Sequence, residues 1–297
     1  MTNNLGEKLN ILAEKIGKTP IIQVGEIYAK LEGKNPAGSV KDRVGFYIVK
    51  DALESGKLGE NGTVVEATSG NTGIGLAYTT STLSIGFVAV MPDNMSVERI
   101  ALMKKYGADV VLTPAKDGMA GAVKKAQEIA ESGAYMAGQF SNKASIVAHY
   151  ETTAPEIFRD MPDVDIIVLG VGSGGTAMGI KKYIVANNLN AKVVGVEPEE
   201  SPLITKGVAG AHLIQGIGAN FVPELVDVNL FDDVRTVRGE DAIRAVKDIY
   251  TLTGEKCGIS SGAAYLVAKE IKAENPSKTV LAIFPDGGDR YDDGLYQ

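Results

Sequence analysis

A chain of 297 residues, 44% of them hydrophobic, is long enough to build one large or two ordinary α/β cores without an external staple. Its formal charge of −7, with no long basic run, argues against a nucleic-acid surface. A single cysteine, Cys257, excludes an intrachain disulfide, and two histidines, His149 and His212, leave too few soft ligands for a Cys/His metal site.

Residues 1–4 carry no basic-then-apolar signal, and no apolar run approaches membrane-spanning length, so a cytoplasmic protein is expected. The first unusual segment is Lys34-Asn35-Pro36-Ala37-Gly38-Ser39-Val40-Lys41-Asp42-Arg43. Ser39 can cap a helix, and Asp42 three residues later can return a bond to the Ser39 amide. Lys41 then falls in the first turn, where the helix field disfavours a cation and favours the neutral amine. A neutral amine is the form that condenses with an aldehyde cofactor.

The pattern predicts a helix over 44–55, then a strand over 63–67 that runs into Thr68-Ser69-Gly70-Asn71-Thr72-Gly73. Strands over 86–91 and 109–113 alternate with helices over 96–106 and 119–131. Met91, Met95 and Met103 fit either a mobile subdomain packing on the helix at 96–106 or plain core filling. A boundary is expected near 144–146. His149, in Ala-His-Tyr-Glu, reads as a structural hydrogen-bonding residue.

A strand over 165–169 leads to a second loop, Gly170-Val171-Gly172-Ser173-Gly174-Gly175-Thr176, and a strand over 192–197 follows. His212 precedes Gln215-Gly216-Ile217-Gly218 and is expected to pack that loop. After a helix over 241–252, Cys257 reads as a buried filler before the third loop, Gly258-Ile259-Ser260-Ser261-Gly262. A last strand is expected over 279–284. Each loop joins an apolar run to a helical one, so its backbone amides can approach an anion at a helix start. Alternating strands and helices predict doubly wound, mostly parallel α/β sheets, with ligands beyond the strands' carboxyl ends.

Six segments in this order resemble the cysteine synthase (O-acetylserine sulfhydrylase) and cystathionine β-synthase family of pyridoxal-phosphate enzymes. They are Gly17-Lys18-Thr19-Pro20 with Lys30-Leu31-Glu32, the Lys41 segment, Glu66 to Gly73, Met91-Pro92 with Met95-Ser96-Val97-Glu98-Arg99, Gln215 to Gly218, and Gly258 to Gly262. The resemblance implies fold-type II, the tryptophan-synthase-β-like architecture. It places a smaller, mobile domain at 35–146 and a larger cofactor-phosphate-binding domain at 1–34 plus 147–297.

The resemblance also implies roles. Lys41 would hold pyridoxal 5′-phosphate and move the substrate Cα proton. Asn71 would bond the cofactor's ring hydroxyl oxygen, and Thr68, Ser69, Asn71, Thr72 and Gln139 would grip the substrate carboxylate. Gly172, Ser173, Gly174, Gly175 and Thr176 would take the phosphate, and Ser260 would face the pyridine nitrogen. A hydroxyl there leaves the ring a moderate electron sink, which favours expelling a β-substituent.

The implied reaction is β-replacement of O-acetyl-L-serine by sulfide, giving L-cysteine and acetate. The implied partners are an amino acid, sulfide or a thiol, a second copy in a homodimer, and the tail of serine acetyltransferase. The sequence departs from the family at Ala37, at Ser173, and at Asp286-Gly287-Gly288-Asp289-Arg290-Tyr291, where a serine is lost.

Other readings stay open. A cysteine-splitting relative would release sulfide, with Asp227 as candidate activator of water or a thiol; others would make cystathionine or lanthionine. A binding protein with the same fold and no catalysis would keep no imine at Lys41. An NAD-dependent oxidoreductase is the rival from another class, since Gly170-x-Gly172-x-x-Gly175 follows a strand and Glu197 lies near ribose-binding distance.

Overall fold

The computed structural model describes residues 3–297. In chain order come helix α1 (Asn3–Lys15), strands β1 (Ile21–Val24) and β2 (Ile27–Leu31), helix α2 (Lys41–Glu54), strand β3 (Thr63–Ala67), helix α3 (Asn71–Leu83), strand β4 (Gly86–Pro92), helix α4 (Val97–Lys105), strand β5 (Asp109–Thr113), helix α5 (Gly118–Glu131) and strand β6 (Tyr135–Met136). They are followed by helices α6 (Ala144–Ala148) and α7 (Ala154–Asp160), strand β7 (Ile166–Gly170), helix α8 (Gly175–Ala186), strand β8 (Lys192–Pro198), helix α9 (Leu203–Lys206), strand β9 (Asp233–Val237), helices α10 (Gly239–Thr253) and α11 (Ile259–Glu274), and strand β10 (Val280–Phe284). No helix among the described residues is long and apolar enough to cross a membrane.

The chain forms two compact units. One takes the described residues up to Gly17 together with Asn35–Ser145. Its four strands run parallel in the order β5-β4-β3-β6. Successive residues of β3 point to opposite faces. Val64 therefore joins a core with Phe46, Ile48 and Leu76, while Val65 and Ala67 meet Ala122 and Ala126 of α5.

Residues 1–34 were expected in the larger unit, but α1 departs from that division. Leu5, Leu9, Leu12 and Ile16 lie on one helical face and are buried with Phe46 and Leu76, so this apolar stripe ties α1 to the smaller sheet.

The other unit takes Lys18–Lys34 and Ile146–Gln297. Its sheet runs β1-β2-β10-β7-β8-β9, parallel throughout except for the β1–β2 hairpin. Along β7, Ile166 and Val168 face the layer of α10 and α11, and Ile167 and Leu169 face that of α7 and α8. A sheet covered on both faces explains the continuous apolar run in this strand. Lys30, wholly buried on β2, donates to Glu156 Oε2 at 2.8 Å and to the Thr19 carbonyl at 2.9 Å. Pairing of this kind is what allows a charge to remain inside a core.

Candidate active site

In the smaller unit, Lys41 is the first residue of α2. The capping differs in register from the sequence expectation. Ser39 Oγ accepts from the Lys41 N–H at 3.2 Å, but Asp42 Oδ2 accepts from the Ala37 N–H at 2.5 Å instead of from Ser39. The chain turns through Gly38, with φ of +85°, so Ala37 and not Ser39 presents its amide to the carboxylate.

Lys41 keeps some exposure as a residue, yet burial of its amine lowers the pKa from 10.5 to about 8. The amine makes no hydrogen bond or ion pair among the described residues.

Two glycines bring Lys41 to the Asn71 loop. A Cβ on Gly75 would lie 2.5 Å from the Lys41 carbonyl oxygen, and one on Gly45 would lie 2.7 Å from the Gly75 carbonyl carbon. Helices α2 and α3 therefore cross backbone to backbone, one turn after Asn71 opens α3. At that opening the amides of Ser69 and Thr72 have no acceptor among the described residues. Free amides at a helix start suit a carboxylate.

The Thr72 hydroxyl donates to Gln139 Oε1 at 2.6 Å, and Gln139 Nε2 reaches the Ala67 carbonyl at 3.4 Å. Thus Lys41, the loop at 68–72 and Gln139 are assembled within this unit. Sequence reasoning missed the Gly45–Gly75 crossing, although two glycines inside apolar helical runs were its visible signal.

In the larger unit, the loop at 170–174 leaves the carboxyl end of β7 and opens α8. The amides of Gly172, Ser173, Gly174, Gly175 and Thr176 bond nothing among the described residues; Met178 is the first to bond back, to the Gly174 carbonyl at 2.9 Å. The backbone is held open from outside. A Cβ on Gly172 would strike the Gly216 carbonyl oxygen, and one on Gly174, whose φ is +88°, would strike Val226.

The 215–218 segment is therefore the brace of this loop, and His212 Nε2 lies 2.9 Å from the Gly218 carbonyl. His149, wholly buried, stands 3.2 Å from Thr176 Oγ1 and 2.8 Å from Thr153 Oγ1. Ser260 opens α11 beside the end of β10, where the Gly258 N–H bonds the Asp286 carbonyl at 3.3 Å. Ser260 is buried as a residue, and its hydroxyl makes no hydrogen bond among the described residues.

Three further residues clarify the alternatives. Cys257 is a core residue whose thiol is pushed up to about 12, chiefly by burial. Glu197 is buried at the end of β8, where its carboxylate accepts from the Ile204 and Thr205 amides and the Thr205 hydroxyl. Both of its oxygens are engaged in capping α9. Asp227 is exposed and uses Oδ1 to accept from the Asn229 amide and side chain, a turn-capping role, while Oδ2 has no partner among the described residues. Where the serine is lost at Gly287, the Tyr291 hydroxyl donates to Asp286 Oδ2 at 2.8 Å.

Within the smaller unit the lowered amine of Lys41 suits an aldehyde, and within the larger unit five unclaimed amides at a helix start suit a phosphate, with the unpartnered hydroxyl of Ser260 in the same unit. Residues 12–286 match the family model described as pyridoxal-phosphate dependent enzyme. The chain is 44% identical over 287 residues to a cysteine synthase B of Campylobacter jejuni, covering 94% of this chain and 96% of that one. It also matches the solved cysteine synthase of Entamoeba histolytica at 38% identity, with a TM-score of 0.90 and coverage of 96% and 90% of the two chains. A hydrogen sulfide-producing enzyme from Fusobacterium nucleatum matches at 35% identity, with a TM-score of 0.92 and coverage of 98% and 92%.

Proposed function

The chain belongs to the pyridoxal-phosphate dependent enzyme family, and we propose that it catalyses β-replacement on an amino acid, converting O-acetyl-L-serine and sulfide to L-cysteine and acetate. Membership overturns the dinucleotide alternative, whose ribose-binding acid is already engaged in capping. The observation that carries the reading is the Lys41 amine: buried, unpartnered, lowered to about 8, and fixed by the Gly75 crossing at the loop that opens α3.

When bound, pyridoxal phosphate supplies an electron sink that acidifies the substrate Cα–H and lets a β-substituent leave. Gly172 to Thr176 would hold its phosphate on their amides, Ser260 would give its hydroxyl to the ring nitrogen, and Asn71 would bond the ring hydroxyl oxygen. Thr68, Ser69, Asn71, Thr72 and Gln139 hold the substrate carboxylate. Lys41 takes the Cα proton, acetate departs from Cβ, hydrosulfide adds there, and Lys41 returns the proton to Cα.

The test is the visible absorption of the purified holo-protein. O-acetyl-L-serine should change it, sulfide should restore it, and L-cysteine should accumulate. Lys41→Ala should lower turnover by about a hundredfold or more, the scale of a lost general base. Borohydride should attach the cofactor's mass to Lys41 in the parent alone.

A second reading is favoured by one observation. Val226 packs on Gly174, so the free Oδ2 of Asp227 is carried by the same brace that shapes the phosphate loop. On that reading the enzyme releases sulfide from L-cysteine while Asp227 activates the incoming water or thiol. Sulfide released from cysteine alone and lost in Asp227→Asn, with no cysteine formed from O-acetyl-L-serine, would establish it instead.

A further inference from the structure

Glu66 has no role in the chemistry described above. It is a carboxylate on β3 with 4% exposure, flanked by buried Val65 and Ala67, and no cation pairs with it among the described residues. Its Oε2 accepts from the Gly138 N–H at 2.6 Å, and the Gln139 amide bonds it as well. Burial pushes its carboxyl up to about 7. An apolar residue at this position would avoid that penalty, so the carboxylate is poorly explained as a device for stability.

Its bonds lead to the substrate loop. Gly138 turns the chain with φ of +67°, and the Asn142 amide bonds the Gly138 carbonyl at 2.8 Å. The next residue, Gln139, receives the Thr72 hydroxyl and reaches back to Ala67, one residue beyond Glu66. The ring therefore closes from β3 through Glu66, the turn at 138–139, the Gln139 side chain and Thr72.

We propose that Glu66 is a positioning residue for the substrate carboxylate, fixing the turn at 138–139 so that Gln139 and Thr72 hold a single geometry. The proposal rests on the β-replacement reading for the identity of the substrate, but not for the mechanical link from Glu66 to Gln139. An amide at position 66 can accept one of the two N–H groups but turns its own N–H toward the other. That mismatch shifts the turn and loosens Gln139.

The experiment is a double-mutant cycle on the holoenzyme with Glu66→Gln and Gln139→Ala. Steady-state rates with O-acetyl-L-serine give KM and kcat. Dissociation constants for L-cysteine, read from the cofactor absorbance, repeat the comparison without turnover. Glu66→Gln should raise KM and the dissociation constant about tenfold, equivalent to about 1.4 kcal/mol, with kcat within about threefold of the parent.

In the Gln139→Ala background the same change should add almost nothing, because Glu66 acts through Gln139. Glu66→Asp, which keeps the charge on a shorter stem, should recover part of the loss and serves if the glutamine variant does not fold. An unchanged KM, or an equal penalty with and without Gln139, would overturn the proposal. A parent that binds L-cysteine but does not turn over O-acetyl-L-serine would sink the synthetic reading alone, leaving the cycle to be read from dissociation constants.

Discussion

Lys41 stands at the first position of α2, where a helix field is worth about 0.3–1 kcal/mol, less than one pKa unit. The fall from 10.5 to about 8 is larger than that, and burial is its cause. Only the neutral amine condenses with an aldehyde, so uptake of the cofactor by the stripped protein should accelerate with pH around a midpoint near 8. Stopped-flow absorbance at a series of pH values checks this, and a midpoint above 10 would mean the amine is solvated. Glu66 gives the complementary case. Its folded pKa, about 7, lies above the ordinary 4.5, so folding favours the protonated form. The stabilisation from this is complete below about pH 4.5 and is lost as pH rises through 7, a swing of about 3 kcal/mol. Urea denaturation should therefore show Glu66→Gln gaining on the parent between pH 5 and pH 8. A constant difference would refute the raised pKa.

The α2–α3 crossing depends on a Cβ being absent at Gly45 and Gly75. Gly75→Ala would press a methyl against the Lys41 carbonyl, so it should destabilise by about 1–3 kcal/mol and reduce cofactor retention by displacing Lys41. Gly59→Ala, with nothing within 4 Å of its Cβ, is the control and should shift the melting temperature little. Melting curves and the ratio of cofactor absorbance to protein check both. Where packing was decided by alternation, the sequence was readable: the expected strands at 63–67 and 109–113 match β3 and β5, and the helix expected at 119–131 differs from α5 by one residue. The periodic pattern put the helix at 44–55, three residues after α2 begins, whereas the reading of Ser39 as a cap already placed Lys41 in the first turn, where Asp42 and Arg43 are buried. The short β6 and the part-exposed β9 carry too little periodicity to stand out. The three loops at the candidate site were legible from glycine and hydroxyl content. Their braces at Gly216 and Val226, and Glu66 behind Gln139, were not, because those contacts span the sequence distance that only folding closes.

Across the whole chain, the larger unit is stitched from two distant segments, and Lys30 with Glu156 is one of the stitches. Glu156→Ala leaves a buried ammonium unpaired and should remove about 3–5 kcal/mol of stability. Hydrogen exchange should quicken at β2 and α7; unchanged exchange there would show that Lys30 finds another acceptor. Strand β2 has a further dependence: it pairs β1 on one side, and on the other it must wait for β10, with Leu31 opposite Phe284. During synthesis at about 5–20 residues per second, that edge stays open for roughly 13–50 seconds, and the last residue of the smaller unit is made well before it closes. The ribosome thus releases a chain whose first-made hairpin is among its last to be enclosed, so stalled or prematurely terminated products should be the aggregation-prone species of this protein and the natural clients of chaperones.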